Sequence, residues 1–158
     1  MGTRVAALAL LLALGACTND GNEEAPEARQ TTDADCATVI PDHVFTTLGW
    51  TATAKPAEAT ILGCHREAEQ GYVEVRDRSG YDRICKTLDR TGQKAPGVPV
   101  DWLDGETACA VEPDGDVGLT KVVVQREGAA VVQITIAVLT STPQAQVRAA
   151  VAELVGTS

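Results

Sequence analysis

Five stretches of the chain have the alternating or β-rich apolar pattern that predicts strands. In residues 130–139, Val132 and Ile134 flank polar Gln133, so one face of this strand should be buried and the other should be more polar. Turn sequences separate the runs, which favours antiparallel hairpins. Residues 94–103 are loop-like at first and then extended, and they would add a sixth strand. The five predicted strands are residues 61–66, 71–76, 107–112, 117–126 and 130–139.

Three other segments carry apolar residues at helical spacing. The first is residues 39–48, with Gly49 placed to end the helix. The second begins at Tyr81 and would be closed by Gly92. Its apolar face would consist of Tyr81, Ile84, Cys85 and Leu88, at positions i, i+3, i+4 and i+7. The third is residues 142–155, in which Thr142 can act as the N-cap. The sequence therefore predicts an α+β domain: a mostly antiparallel sheet of about five to six strands, covered by two to three helices.

The first sixteen residues have the pattern of a bacterial secretion signal. Arg4 precedes an apolar run, residues 5–14, that ends in small residues. The run is too short to cross a bilayer, which takes about 20 apolar residues. The sequence Leu14-Gly15-Ala16-Cys17 resembles the lipobox of bacterial lipoproteins, in which the cysteine thiol receives a diacylglycerol before cleavage. We expect Cys17 to become the acylated N-terminus on the extracytoplasmic face of the cell membrane. The alternative is an ordinary secretory signal that ends in a chance cysteine.

Composition divides the remaining chain into a tether and one domain. Residues 18–35 contain six acids, one base and no large apolar side chain, so they cannot build a core and should form a solvated tether. Residues 36–158 suffice for a single domain. The whole chain has a net charge of −9, and the domain has 11 bases against 16 acids. An acidic domain without a basic stripe argues against nucleic acid as a partner.

Four of the five cysteines remain once Cys17 is set aside, an even number for a compartment in which disulfides persist. Four cysteines allow three pairings, and the predicted elements favour two bridges, Cys36 with Cys64 and Cys85 with Cys109. Cys85 would point inward from its helix, toward the inner face of the strand that carries Cys109. Zinc and redox roles lack support because no two of these cysteines form a C-x₂-C unit.

The order of these features resembles a known family. It begins with Cys36 and a short helix that ends at Leu48-Gly49, followed by Gly63-Cys64 before a strand. A second helix and a turn near Gly105 come next, and a β-rich segment and a helix close the domain. This order is similar to that of the actinobacterial lipoprotein family called domain of unknown function 3558, over most of residues 36–155. The resemblance implies an envelope-anchored domain and supports the bridge from Cys36 to Cys64. It implies no catalytic residues.

Positive charge in the acidic domain is concentrated between the second hairpin and the second predicted helix. Such a cluster can bind an anionic group, and it suggests a candidate anionic-ligand patch. The alternative is a solvated surface whose cations pair with neighbouring acids. The residues of the candidate patch are Arg66, Arg76, Arg78 and Arg83.

Other chemistry finds little support in the sequence. No G-x-S-x-G motif is present, and the acidic loop at 112–117 lacks the later bidentate acid of a calcium loop. Asp101, Asp104 and Glu106 are most simply solvated loop acids, although paired carboxylates are the catalytic alternative. Trp50 and Trp102 are expected in the core, although an exposed tryptophan could stack on a sugar. We expect no metal, no cofactor and no catalytic residues.

These observations leave three functional hypotheses. The leading hypothesis is a non-catalytic binding or accessory module of the cell envelope, whose partner is an envelope protein, a glycan or a lipid ligand. The second is a lipid or glycolipid carrier, which requires an apolar cavity between sheet and helices. The third and weaker hypothesis is an envelope hydrolase.

The lipobox generates the first prediction. The mature protein should begin at Cys17 and carry two or three acyl chains, because each buried CH₂ contributes about 0.8 kcal/mol and one chain alone anchors only marginally. Intact mass spectrometry of protein extracted from membranes measures this directly. Cys17→Ala should abolish acylation and, because acylation precedes cleavage, should leave the signal segment attached to the chain. For the wild-type sequence, an uncleaved, unacylated chain as the dominant product in cells would contradict the prediction.

Overall fold

Nine strands and four α-helices follow one another in residues 31–90 and 93–157, the part of the chain that the computed structural model describes. The helices are α1 Asp33–Val39, α2 Asp42–Leu48, α3 Tyr81–Cys85 and α4 Gln144–Thr157. The strands are β1 Glu58–Thr60, β2 Gly63–Ala68, β3 Gly71–Arg78, β4 Leu88–Arg90, β5 Gln93–Ala95, β6 Val98–Pro99, β7 Thr107–Val111, β8 Gly118–Gln125 and β9 Val131–Val138. A 3₁₀ turn, Glu127–Ala129, joins β8 to β9.

Seven of these strands form one antiparallel sheet in the order β1-β2-β3-β9-β8-β7-β6, and β4 and β5 form a separate hairpin. The α+β class is confirmed, and the main sheet has more strands than the five to six predicted. The additional strand is β1, a three-residue edge strand. An element this short cannot display an alternating pattern, and β1 forms because β2 offers it a free edge.

One face of the sheet is covered by α1, α2 and α4. Alternate residues of the central strands point toward these helices, among them Ile134 and Ile136 of β9 and Val122 of β8, each at most 1% exposed. The helices contribute side chains that are equally buried: Ile40, Phe45, Leu48, Val147 and Leu154. The periodicity of the sequence therefore places the main core correctly.

The other face is only partly covered. On β7, β8 and β9 it carries a small apolar cluster that packs beneath Leu88 of β4 and the side chains of α3. Gly97 lies against Cys109, where an added Cβ would be 3.0 Å from the Cys109 Sγ atom and 2.9 Å from Leu88. A larger residue at this position would push the covering segment away from the sheet. The sheet members of the cluster are Cys109, Val111, Val123 and Val131.

Two helix predictions need correction. Residues 39–48 form parts of two helices rather than one, because Pro41 adopts an extended conformation and begins α2 as its N-cap. Gly49 ends α2 in the left-handed conformation, at φ 69°, as predicted. The helix α1 begins at Asp33, within the segment assigned to the tether, where the Thr32 side chain and Asp35 form a reciprocal capping box.

The predicted helix from Tyr81 to Gly92 is wrong beyond its first turns. The helix α3 ends at Cys85, and Leu88 already belongs to β4. At this end the Thr87 hydroxyl donates to the Arg83 carbonyl and the Thr87 N–H donates to Ile84. The apolar spacing is real, but Leu88 is buried by a strand instead of by a third helical turn. Gly92 lies outside the described residues.

Both disulfides join the cysteine pairs that the sequence favours. Cys36 of α1 bonds to Cys64 of β2, and Cys85 of α3 bonds to Cys109 of β7. Each bridge therefore fastens a short helix to a different face of the sheet. Of the helices in the described part of the chain, none has the length and apolar character needed to cross a membrane.

The bridge over the partly covered face generates the second prediction. The two cysteines are 24 residues apart, and a loop of this length predicts that Cys85→Ser with Cys109→Ser lowers the free energy of unfolding by about 3.5 kcal/mol. Urea denaturation measures the loss. Hydrogen exchange should accelerate first in residues 81–90, which the bridge holds to the sheet. Unchanged exchange in this segment would show that the apolar cluster alone holds it.

Candidate anion-binding groove

The four arginines of the predicted patch do not share one surface. Along a strand, successive side chains point to opposite faces of the sheet. Arg66 lies on the helix-covered face, where it forms an ion pair with Asp42, donates to the Ile40 carbonyl at 3.1 Å, and lies 4.9 Å from the Phe45 ring centroid. Its side chain is 11% exposed. Arg66 thus fastens β2 to α2.

Arg76 lies on the opposite face, and its charge is also paired with an acid. Its guanidinium forms an ion pair with Glu74, which precedes it by two residues and therefore shares its face of β3. The positive charge of Arg76 is compensated by this carboxylate. Both residues fit the alternative interpretation of the patch, in which cations pair with neighbouring acids.

Arg78 and Arg83, in contrast, come together at one groove. The groove has a volume of about 340 Å³ and is open to solvent. Its walls come from the end of β3, from α3 and the start of β4, and from the neighbouring strands β8 and β9. The lining residues are Arg78, Arg83, Ile84, Thr87, Leu88, Lys121 and Gln133.

Gln133 forms the polar floor of the groove. Gln133 is a polar residue, yet only 7% of it is exposed, because it lies on β9, the central strand of the sheet. Its Oε1 atom accepts a hydrogen bond from Arg78 Nε at 3.1 Å, and its Nε2 atom lies 3.4 Å from Thr135 Oγ1. A buried amide of this kind orients the guanidinium and leaves the terminal N–H groups of Arg78 for a ligand.

The charged side chains in the described lining of the groove are all cationic. Arg83 donates to the Ser79 carbonyl at 3.3 Å, a neutral partner. Among the side chains that the structure describes, none that carries a carboxylate lies at ion-pair distance from Arg78, Arg83 or Lys121. Three positive charges therefore face a single concave surface of an otherwise acidic domain.

Tyr81 lies at the start of α3 and packs against the apolar cluster beside the groove. Burial raises the pKa of its phenol, and the neighbouring Asp82 carboxylate adds to this effect. The phenol therefore stays protonated and neutral at physiological pH. It supplies apolar support to the groove and adds no negative charge.

A second groove, of about 590 Å³, lies at the β6 edge of the sheet. Arg148 of α4 lies over the Trp102 ring, 5.4 Å from its centroid, and binds both carboxylate oxygens of Glu112, at 2.8 and 2.6 Å. Gln144 donates to the same carboxylate at 2.9 Å. The hydrogen bond from Arg148 lowers the pKa of Glu112 despite its partial burial. The charge of Arg148 is thus compensated by Glu112, and the other charged residues in the described lining, Asp101 and Asp114, are acids.

The other sequence candidates are dispersed. Trp50 is buried in the core and its indole N–H donates to Thr142 Oγ1 at 2.8 Å, whereas Trp102 is only partly buried. Glu106 lies 3.6 Å from Arg126, and Asp101 and Asp104 are exposed. In residues 31–90 and 93–157, no group of three or more His, Cys, Asp or Glu side chains could hold a metal ion.

The remaining predicted site residue, Cys17, lies outside the described residues. Three polar residues of the groove were not predicted as part of the site: Thr87, Lys121 and Gln133. Gln133 had a detectable signal, because it is a polar residue between the apolar positions of a central strand. Lys121 had none, since only the pairing of β8 with β9 brings it to the groove.

No family model matches the chain, and no curated protein and no solved structure matches it either. The resemblance to domain of unknown function 3558 therefore stays a prediction. The function proposed for the groove rests on the geometry of the described residues.

The Glu112–Arg148 pair generates the third prediction. Glu112→Gln should lower the free energy of unfolding at neutral pH by about 0.5 to 1 kcal/mol. Because the pKa of Glu112 is lowered by folding, its stabilising effect is present at neutral pH and is lost as the pH falls below the ordinary glutamate value. The difference between the wild type and the variant should therefore shrink in acid, as urea titrations at several pH values would measure.

Glu58→Gln provides the matched control. It removes a carboxylate whose side chain is 51% exposed and which pairs with Lys55, itself 62% exposed. This substitution should change stability less at every pH. A loss for Glu112→Gln that did not depend on pH would contradict the role assigned to the carboxylate.

Proposed function

We propose that the chain is a lipid-anchored extracytoplasmic module that binds an anionic group of an envelope component and performs no catalysis. The observation that carries the proposal is the convergence of Arg78, Arg83 and Lys121 on one groove without a carboxylate partner among the described side chains. Like charges brought together repel one another, and this arrangement is relieved when a phosphate or carboxylate binds between them.

The chemistry of the groove favours binding over catalysis. Its polar residues are cations, an amide and the hydroxyl of Thr87. Arginine and lysine are protonated at neutral pH, so they donate hydrogen bonds to an anion but do not act as general bases. A hydrolase would need a nucleophile with a base beside it, and the described lining supplies no such pair.

The lipid-carrier hypothesis receives less support. A carrier needs an enclosed apolar space for acyl chains. Between the sheet and its helices, the side chains of Phe45, Ile40 and Leu48 are at most 1% exposed and fill the interface. The groove at Arg78 and the groove at the β6 edge are both open and have charged side chains in their walls.

The proposed location is supported by two kinds of observation. The sequence begins with a signal pattern and a lipobox cysteine at Cys17. The domain has two disulfides, which form and persist outside the reducing cytosol. An anchor at the outer face of the membrane would present the groove to lipid headgroups, glycans and other envelope components.

Titration with inorganic phosphate tests the proposal and is the fourth prediction. In NMR spectra, the side-chain N–H signals of Arg78 and Gln133 should shift as phosphate is added. Lys121→Gln should weaken binding by roughly ten-fold, because a hydrogen bond between charged groups contributes about 1.5 kcal/mol or more. Binding should also weaken as the salt concentration rises.

Lys55→Gln is the matched control, since it makes the same chemical change at an exposed position paired with Glu58. It should leave phosphate binding unchanged. Equal effects of the two substitutions, or no shift at Gln133, would refute the groove as the site.

Glycerol phosphate and vesicles of anionic phospholipid then distinguish a free phosphate from a lipid headgroup. If lipid copurifies from native membranes and the Lys121→Gln variant retains it, the lipid-carrier hypothesis would be favoured.

A further inference from the structure

The turn between β1 and β2 exposes two large aliphatic side chains. Thr60 pairs with Gly63, so Ile61 and Leu62 are the two loop residues of this hairpin. Ile61 is fully exposed and Leu62 is 47% exposed. Two-residue hairpin loops favour asparagine, aspartate and glycine, because these residues adopt the turn conformation and are well solvated. Adjacent isoleucine and leucine satisfy neither preference, which points to a function outside the turn itself.

This apolar tip, Ile61 and Leu62, is held firmly. The Leu62 carbonyl accepts a hydrogen bond from the Asp77 N–H at 3.1 Å, which ties the turn to the end of β3. The Thr60 hydroxyl donates to the Gly63 carbonyl at 3.1 Å. The next residue, Cys64, is bonded to α1. The two side chains therefore project from a fixed backbone instead of folding back onto the sheet.

The tip also lies beside the point where the described chain begins. Asp33, the first residue of α1, accepts a hydrogen bond from the Ala59 N–H through its Oδ1 atom at 2.7 Å. Ala59 is two residues from Ile61, a distance of about 7 Å along a strand. The described chain thus begins at the same end of the domain as the tip.

Another exposed aliphatic residue, Leu139, lies toward the opposite end of β3 from the tip. Leu139 is 68% exposed and follows Val138, which pairs with Gly71 at the start of β3. The tip contacts Asp77 near the other end of this eight-residue strand. The two positions are therefore separated by roughly 20 Å, the length of the intervening strand. Leu139 serves as a probe for the end of the domain away from the anchor.

We infer that Ile61 and Leu62 insert into the apolar boundary of the bilayer that carries the lipid anchor, and so orient the domain on the membrane. This inference rests on the proposed lipid anchor. Two exposed aliphatic side chains bind a bilayer weakly by themselves, but the anchor holds them at the surface, so insertion costs little additional ordering. In this orientation Arg78, next to Asp77, lies at the membrane end of the domain.

Fluorescence from tryptophans placed at the two ends tests the inference. The acylated full chain is reconstituted into phosphatidylcholine–phosphatidylglycerol vesicles with brominated acyl chains, and the signal of Trp50 and Trp102 is subtracted by using the wild type. Ile61→Trp should emit at shorter wavelength and lose about half of its added intensity to the quencher. Leu139→Trp should be unaffected. Both positions are exposed, so the substitutions should leave the fold intact.

Each outcome bears on the inference. Chains that float with the vesicles but show no selective quenching at position 61 would overturn the membrane contact and leave the anchor intact. Chains that do not float at all would overturn the anchor as well. Sedimentation of the Cys17→Ala variant provides a further test. If this variant self-associates and the added substitution Ile61→Asp abolishes the self-association, the tip binds a second copy of this chain, and insertion into the bilayer is refuted.

Discussion

A seven-stranded sheet has two faces to bury, and the three helices α1, α2 and α4 cover only one of them. The second face depends on a short segment, α3 and the β4–β5 hairpin, that lies across β7 and β8. The Cys85–Cys109 bridge fastens this segment to β7 within a small apolar cluster. Without such a constraint, a small cluster of valines and one leucine would have to offset the entropy of ordering the whole segment.

The groove is a consequence of this partial covering. On β7, β8 and the start of β9, the second face carries residues such as Val123 and Val131 beneath the covering segment. On the β2 and β3 side it carries the ion pair of Glu74 and Arg76, whose side chains are 12% and 33% exposed. Arg78, Gln133 and Lys121 lie along the boundary, and Arg83 reaches it from α3. The disulfide therefore stabilises the fold and also sets the spacing between Arg83 and the sheet cations.

Sequence reasoning succeeded where a pattern is local and failed where pairing is long-range. The alternation in β9 predicted the residues that face the helices, among them Ile134 and Ile136, but the face expected to be more polar is buried as well, including Gln133. The spacing of Tyr81, Ile84, Cys85 and Leu88 gave the right buried residues but the wrong element, because a strand can bury Leu88 as well as a helix. Arg66 and Arg76 were grouped with Arg78 and Arg83 by proximity along the chain. Only the folded structure shows that Arg66 is paired with Asp42 of α2 and Arg76 with Glu74 of its own strand.

The distribution of ion-pair partners separates structural cations from those available to a ligand. Arg66 joins a strand to a helix, Arg76 is balanced by a neighbour, and Arg148 holds Glu112 over the second groove. Each of these arginines has a carboxylate that makes its burial or its position favourable. A domain with an excess of acids can readily supply such partners. The feature that needs an explanation is therefore that no described carboxylate pairs with Lys121 or Arg83. Binding of an external anion supplies one, because the anion replaces the missing carboxylate and relieves the repulsion between the cations.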